Sequence, residues 1–186
     1  MIASPLEVPT IYIKDKQAFA KSEGVMRLLG PAVECMKNLA KKYKLFHIVD
    51  LDLKKGNATN FDIYDKLTYF THIQVECENE EAADRLTKIM VRVVIRLPTK
   101  LSLKWNKKLM VGEIDDINNL KELEKQIEKV GDIIISDDII ARSSKKANNN
   151  DKIVEILKKT GKRIMIKNPK KQKDYSDVWA IILPEP

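Results

Sequence analysis

Eight short runs rich in β-branched residues recur along the chain, and most are separated by segments whose apolar residues return at helical spacing. The runs are Pro9–Lys14 (PTIYIK), Lys44–Asp52 (KLFHIVDLD), Thr71–Cys77 (THIQVEC), Val91–Leu97 (VRVVIRL), Lys107–Ile114 (KKLMVGEI), Asp132–Asp137 (DIIISD), Lys162–Asn168 (KRIMIKN) and Asp177–Pro184 (DVWAIILP). Strands that alternate with helices pair in parallel through right-handed crossovers, which confines the chain to an open doubly wound sheet or a closed (β/α)₈ barrel. Eight strands predict closure.

The spacing predicts helices at about residues 23–43, 59–69, 79–90, 116–130 and 150–160. In the third, Ala82, Leu86 and Ile89 form one stripe, and carboxylates fill the first turn where the helix dipole favours them. The fourth spaces Leu120, Leu123 and Ile127 likewise and is expected to stop at Gly131, the residue that ends helices most easily. After the fourth and seventh strands, Pro98–Asn106 and Pro169–Ser176 are too short and irregular for a full helix. A barrel of this kind usually takes about 250 residues, whereas this chain has 186. The fold class expected is therefore a compact α/β (β/α)₈ TIM barrel over residues 1–186 as one domain, with several outer helices shortened or missing. Barrel wall left bare by such a loss predicts a homodimer, or another partner, to cover it.

Composition narrows the remaining classes. Charged residues at 33% and hydrophobic residues at 44% suit a globular protein with a charged surface. No apolar run reaches the roughly 18 residues that cross a bilayer, and the first residues lack a basic segment followed by a signal core, so no membrane partner and a cytoplasmic location are expected. The isoleucine- and lysine-rich, charge-dense composition resembles that of thermophile proteins. Cys35 and Cys77 lack CxxC spacing and a nearby histidine, which argues against zinc, and a reducing compartment argues against a disulfide. The net charge of +7 suits a phosphorylated small molecule or RNA equally. KLSLKWNKK and KNPKKQKDY set lysines beside an aromatic, a pattern compatible with phosphate-backbone contacts in RNA, or with a solvated loop.

In a barrel the carboxyl ends of the strands line the ligand mouth, so polar residues that end apolar strands are candidate site residues. Closure would gather Tyr12, Lys14, Asp50, Asp52, Glu76, Arg96, Glu113, Asp115, Ser136, Asp137, Lys167 and Asn168 around one rim. Asp50, Asp52, Asp115 and Asp137 are the candidate catalytic residues; Tyr12, Lys14, Arg96, Ser136 and Lys167 are the candidate substrate-binding residues. The carboxylates are also numerous enough to suit a hard cation such as magnesium, although no metal site is assigned. An alternative remains open in which Asp52 caps the turn that follows and Asp50 takes a backbone or lysine hydrogen bond. His47, mid-strand, is expected to be a hydrogen-bonded structural histidine, and Trp105 and Trp179 to be packing residues.

The stretch LFHIVDLDLKKGN, Leu45–Asn57, resembles the second strand of the histidine-biosynthesis isomerase and cyclase barrels, HisA and HisF. TIYIKDKQAFAKSEG is similar to the first strand and turn of that family, HIQVECENEEAADRLTKIMVRVVIRLP to its third and fourth strands, and the segment from Asp132 to Asn168 to its sixth and seventh. The resemblance, over about three quarters of the chain, implies a ribulose-phosphate-binding barrel and an aldose-to-ketose isomerase without metal or organic cofactor. The catalytic base of the family falls on Tyr12, its general acid on Ile114 or Asp115, and its loop aspartate after strand six near Ala141. Its phosphate-binding turns read ECENE, RLPTK, KNPKK and LPEP, with no glycine to let backbone N–H groups approach a phosphate. Arg96 and Lys167, at those turns, are charged substitutes for the lost amides. The functions implied are a divergent homologue that binds or acts on a phosphorylated small molecule, or a non-catalytic module that binds protein or RNA.

Overall fold

The structure, a computed structural model, describes residues 4–136, 138–139, 157, 159–169 and 178–186. All eight runs form strands. In chain order these are β1 (Leu6–Lys14), β4 (Leu45–Asp50), β5 (His72–Glu76), β6 (Arg92–Leu97), β7 (Met110–Ile114), β8 (Asp132–Ser136), β9 (Arg163–Lys167) and β10 (Ala180–Leu183). Each pairs in parallel with the next, and β10 pairs with β1, which closes the ring. Following the registers once around returns to β1 displaced by eight residues. That stagger gives an eight-stranded barrel whose interior side chains fill it in layers drawn from alternate strands.

The period of two along each strand divides the apolar residues into two cores. Val8, Leu45, Val94, Val111, Ile134, Met165, Ala180 and Ile182 pack together inside the ring. The alternate residues, among them Ile48, Val75, Ile95, Ile133 and Ile166, pack outward beneath the helices. Those helices are α1 (Ala32–Leu39), α2 (Phe61–Thr68), α3 (Glu80–Lys88) and α4 (Leu120–Glu128), the last two capped by the side chains of Asn79 and Asn119. Among the described residues, none is long and apolar enough to cross a membrane.

Three expectations need correction. The helix expected over 23–43 is replaced by a hairpin, β2 (Gln17–Ser22) and β3 (Val25–Pro31), and only the short α1 remains. Its two turns set Asp15, Lys16, Glu23 and Gly24 at positive φ, the primed two-residue geometry that matches strand twist. DK and EG are weaker turn signals than NG or DG, and the period of 3.6 in this stretch carried the wrong reading. Gly131 does not end α4 in a left-handed cap; a Cβ there would lie 2.6 Å from the Lys107 carbonyl oxygen, so glycine is needed for close approach of two backbones. The wall beside β6 has no helix, as expected, but its own connection covers it: Leu103 is buried, and Leu101 and Trp105 pack on the outer core. The helix expected at 150–160 falls largely outside the described residues, as does much of the connection after the seventh run.

β1 changes partner along one edge. Leu6–Pro9 pair with β10, and Tyr12–Lys14 pair with β2. Between them the Thr10 hydroxyl donates to the Leu183 carbonyl at 2.7 Å.

Candidate active site at the carboxyl ends of the strands

The layer nearest the carboxyl ends takes one residue from each alternate strand: Tyr12 from β1, Glu76 from β5, Glu113 from β7 and Lys167 from β9. Lys167 lies between the two acids, its Nζ 3.0 Å from Glu76 Oε1 and 2.6 Å from Glu113 Oε1, with its side chain only 20% exposed. Lys54, from the 3-10 turn after β4, reaches Glu76 Oε2 at 2.6 Å. His47 lies beneath: its Nε2 is 3.0 Å from Glu76 Oε1, and Gln74 Nε2 is 3.1 Å from its Nδ1. The amide donates to Nδ1 in this arrangement, which makes Nε2–H the donor to Glu76. Glu76 therefore has three donors around it. Glu76 Oε2 and Glu113 Oε2 are both buried without a hydrogen bond among the described residues, but the first has the Lys54 ammonium as an ion-pair partner and the second has none.

These contacts set the proton affinities. Burial works against the Glu76 carboxylate, but His47, Lys167 and Lys54 outweigh it and hold its pKa far below the usual glutamate range. Burial works against the Lys167 ammonium as well; Glu113 and Glu76 outweigh it and lift its pKa above the ordinary lysine value. Burial, and then Glu76, raise the Tyr12 phenol. At neutral pH the ring thus holds an ammonium, an ionised Glu76 and a protonated phenol.

The signs fix a pH dependence. The depressed pKa of Glu76 contributes stability that is full above the unfolded value of about 4.3 and is lost as pH falls through the folded value. The raised pKa of Lys167 contributes stability that is full below about 10.4 and is lost as pH rises through its folded value. Urea midpoints measured from pH 2 to 11 are expected to decline toward both ends, and Glu76→Gln is expected to flatten the acid decline. An acid limb unchanged by that substitution would mean that other carboxylates carry it.

The aspartates of LFHIVDLDLKKGN have other surroundings. Asp50 is 1% exposed and faces α2, where its Oδ1 accepts from the backbone N–H groups of Asp52 and Leu53 (both 2.9 Å) and from Asn60 Nδ2 (3.1 Å), and its Oδ2 from the Tyr64 hydroxyl (2.5 Å). Asp52 is buried and accepts from the Asp15 N–H at 2.7 Å and Asn60 Nδ2 at 3.0 Å, which fastens the β1–β2 turn to the loop after β4. The chain then makes one 3-10 turn and leaves through Gly56 at φ 84°. Asp50 takes the backbone hydrogen bonds of the open structural alternative, but the expected cap is on the other aspartate: Asp50 caps the turn, and Asp52 makes no side-chain hydrogen bond to it.

Of the other candidates, Asp115 and Lys14 are exposed, and Arg96 is an exposed rim residue 3.7 Å from Glu78. Ser136 Oγ accepts from the Ile139 N–H at 3.2 Å, a cap on the turn that follows β8. Asn168 is exposed with φ 54°. Asp137 and Ala141 lie outside the described residues. Trp105 donates through its indole to Asp84 at 3.3 Å. Among the described residues no three side chains of histidine, cysteine, aspartate or glutamate converge on a metal position.

Reading the strand ends placed Tyr12, Glu76, Glu113 and Lys167 on the rim but did not single out the two glutamates. Inward position on alternate strands is the signal that would have done so. No model of a known protein family matches this chain, and no curated protein does either.

Proposed function

We propose that the mouth binds a small phosphorylated molecule, in an enzyme or enzyme-derived binding protein akin to the ribulose-phosphate-binding barrels and most similar to phosphoribosylformimino-5-aminoimidazole carboxamide ribotide isomerase. The observation that carries this reading is the ring of Tyr12, Glu76, Glu113 and Lys167, in which one carboxylate oxygen, Glu113 Oε2, is buried and unpartnered. An aldose-to-ketose rearrangement needs one base and one acid. Glu113 takes a proton from the carbon beside the carbonyl and, as the acid so formed, returns it to the former carbonyl carbon, which completes the shift to the ketose. Lys167 and Tyr12, both protonated, face the oxygen where negative charge develops, and a fixed ammonium in a partly desolvated ring stabilises that charge far better than water does. Lys14 and Arg96, exposed cations at the same end, are the groups for the phosphate.

The test is exchange of the C–H proton beside the carbonyl of ribose 5-phosphate and ribulose 5-phosphate, followed by NMR in deuterated water, together with a thermal-shift screen. A Tm raised by the sugar phosphates is expected, with exchange that falls by at least about a hundredfold in Glu113→Gln. Absence of both effects would overturn the reading. The second reading, a non-catalytic interaction module, is favoured by the hairpin, where Val25 and Leu28 are 69% and 58% exposed. Salt-sensitive retention on RNA, or self-association lost on Leu28→Lys, without any response to sugar phosphates, would favour it.

A further inference from the structure

A cavity of about 510 Å³ opens at the other end of the barrel, where the strands begin. Its volume falls in the range of small-molecule sites. Leu45, Leu109 and Trp179 give it an apolar lining, while Lys44, Lys108, Arg92 and Arg163 give it cations. Asp132 is the one carboxylate that pairs with those arginines among the described residues: it accepts from Arg163 at 2.7 and 2.8 Å and also from Arg92. Two guanidinium groups against one carboxylate leave one positive charge in excess. Trp179 fixes them in place, with the Arg163 guanidinium 4.0 Å and that of Arg92 5.9 Å from its ring centroid. Lys44 and Lys108 are exposed and have no carboxylate partner among the described residues.

We propose that this cavity is a binding site for a small organic anion, a carboxylate or phosphate carried on a flat apolar body. An inorganic ion would leave the apolar lining unfilled. The cavity ends against the barrel's own interior residues, so it suits one compact molecule better than a nucleic-acid strand. The site shares no residue with the ring at the carboxyl ends and stands whether or not that ring is catalytic.

Trp179 is the sole tryptophan once Trp105 is replaced by phenylalanine, and its fluorescence reports on the cavity directly. The full chain carrying Trp105→Phe is titrated with 2-naphthoate, 2-naphthyl phosphate, the uncharged 2-naphthamide, inorganic phosphate and a single-stranded uridine ten-mer, with calorimetry alongside. The two naphthyl anions are expected to perturb Trp179 and to compete with each other, the stronger one marking the head group. The amide, and either anion against the Lys44→Glu/Lys108→Glu variant, are expected to bind at least about tenfold more weakly. Equal binding of the amide, indifference to the charge reversal, or preference for inorganic phosphate or the ten-mer would overturn the proposal.

Discussion

Lys167→Met is expected to lower stability by about 3 kcal/mol, because it strands Glu76 and Glu113 in a ring with little solvent. For a chain of this size that is a fall in Tm of roughly 6 to 12 °C. Lys54 still pairs with Glu76 and His47 still donates to it, so the main burden falls on Glu113, whose other oxygen already lacks a partner. Addition of Glu113→Gln to Lys167→Met is therefore expected to recover part of the loss, and the double-mutant cycle gives the coupling directly. A Lys167→Met protein within about 0.5 kcal/mol of the parent in urea unfolding would mean that the ring is hydrated and the pair worth no more than a surface one.

Asp50→Ala is expected to cost about 3 to 5 kcal/mol. It removes the acceptor from two backbone N–H groups, an amide and a phenol at once, and buried donors left unpaired carry their full desolvation cost. Asp50→Asn keeps the Oδ1 position and is expected to cost about half as much. Since Asp50 faces α2 and not the mouth, Asp50→Asn is expected to leave the response to sugar phosphates unchanged. Loss of that response with the fold intact would return Asp50 to the candidate catalytic group.

The barrel was legible because its strands are nearly all apolar and β-branched, the pattern of parallel strands buried on both faces. The hairpin was not, since VMRLLG carries helix formers and its strand state comes from pairing with β2 beside two turns that lack the usual residues. The rim residues were legible as a set. Their roles were not, because the direction of a side chain at a strand end depends on register: Asp50, one residue beyond inward Val49, faces outward, whereas Glu76 and Lys167 stay on the inward phase. LFHIVDLDLKKGN was the most specific family-like motif, and in the structure its aspartates hold a loop together. The acid pair at the mouth came from THIQVEC and KKLMVGEI, runs with no turn signature to draw attention to them.

The handover on β1, from β10 at Leu6–Pro9 to β2 at Tyr12–Lys14, frees one quadrant of the opening from the geometry that governs the rest. All eight interfaces, β10–β1 included, carry the stagger that closes the ring, and a shift of register at any of them would re-register the whole cylinder. At this seam the hairpin forms the lip, and its far turn, Glu23 and Gly24, lies in solvent. Chain added there widens or roofs the entrance while closure stays untouched, so this corner is where descendants of the fold have room to diverge in what they admit.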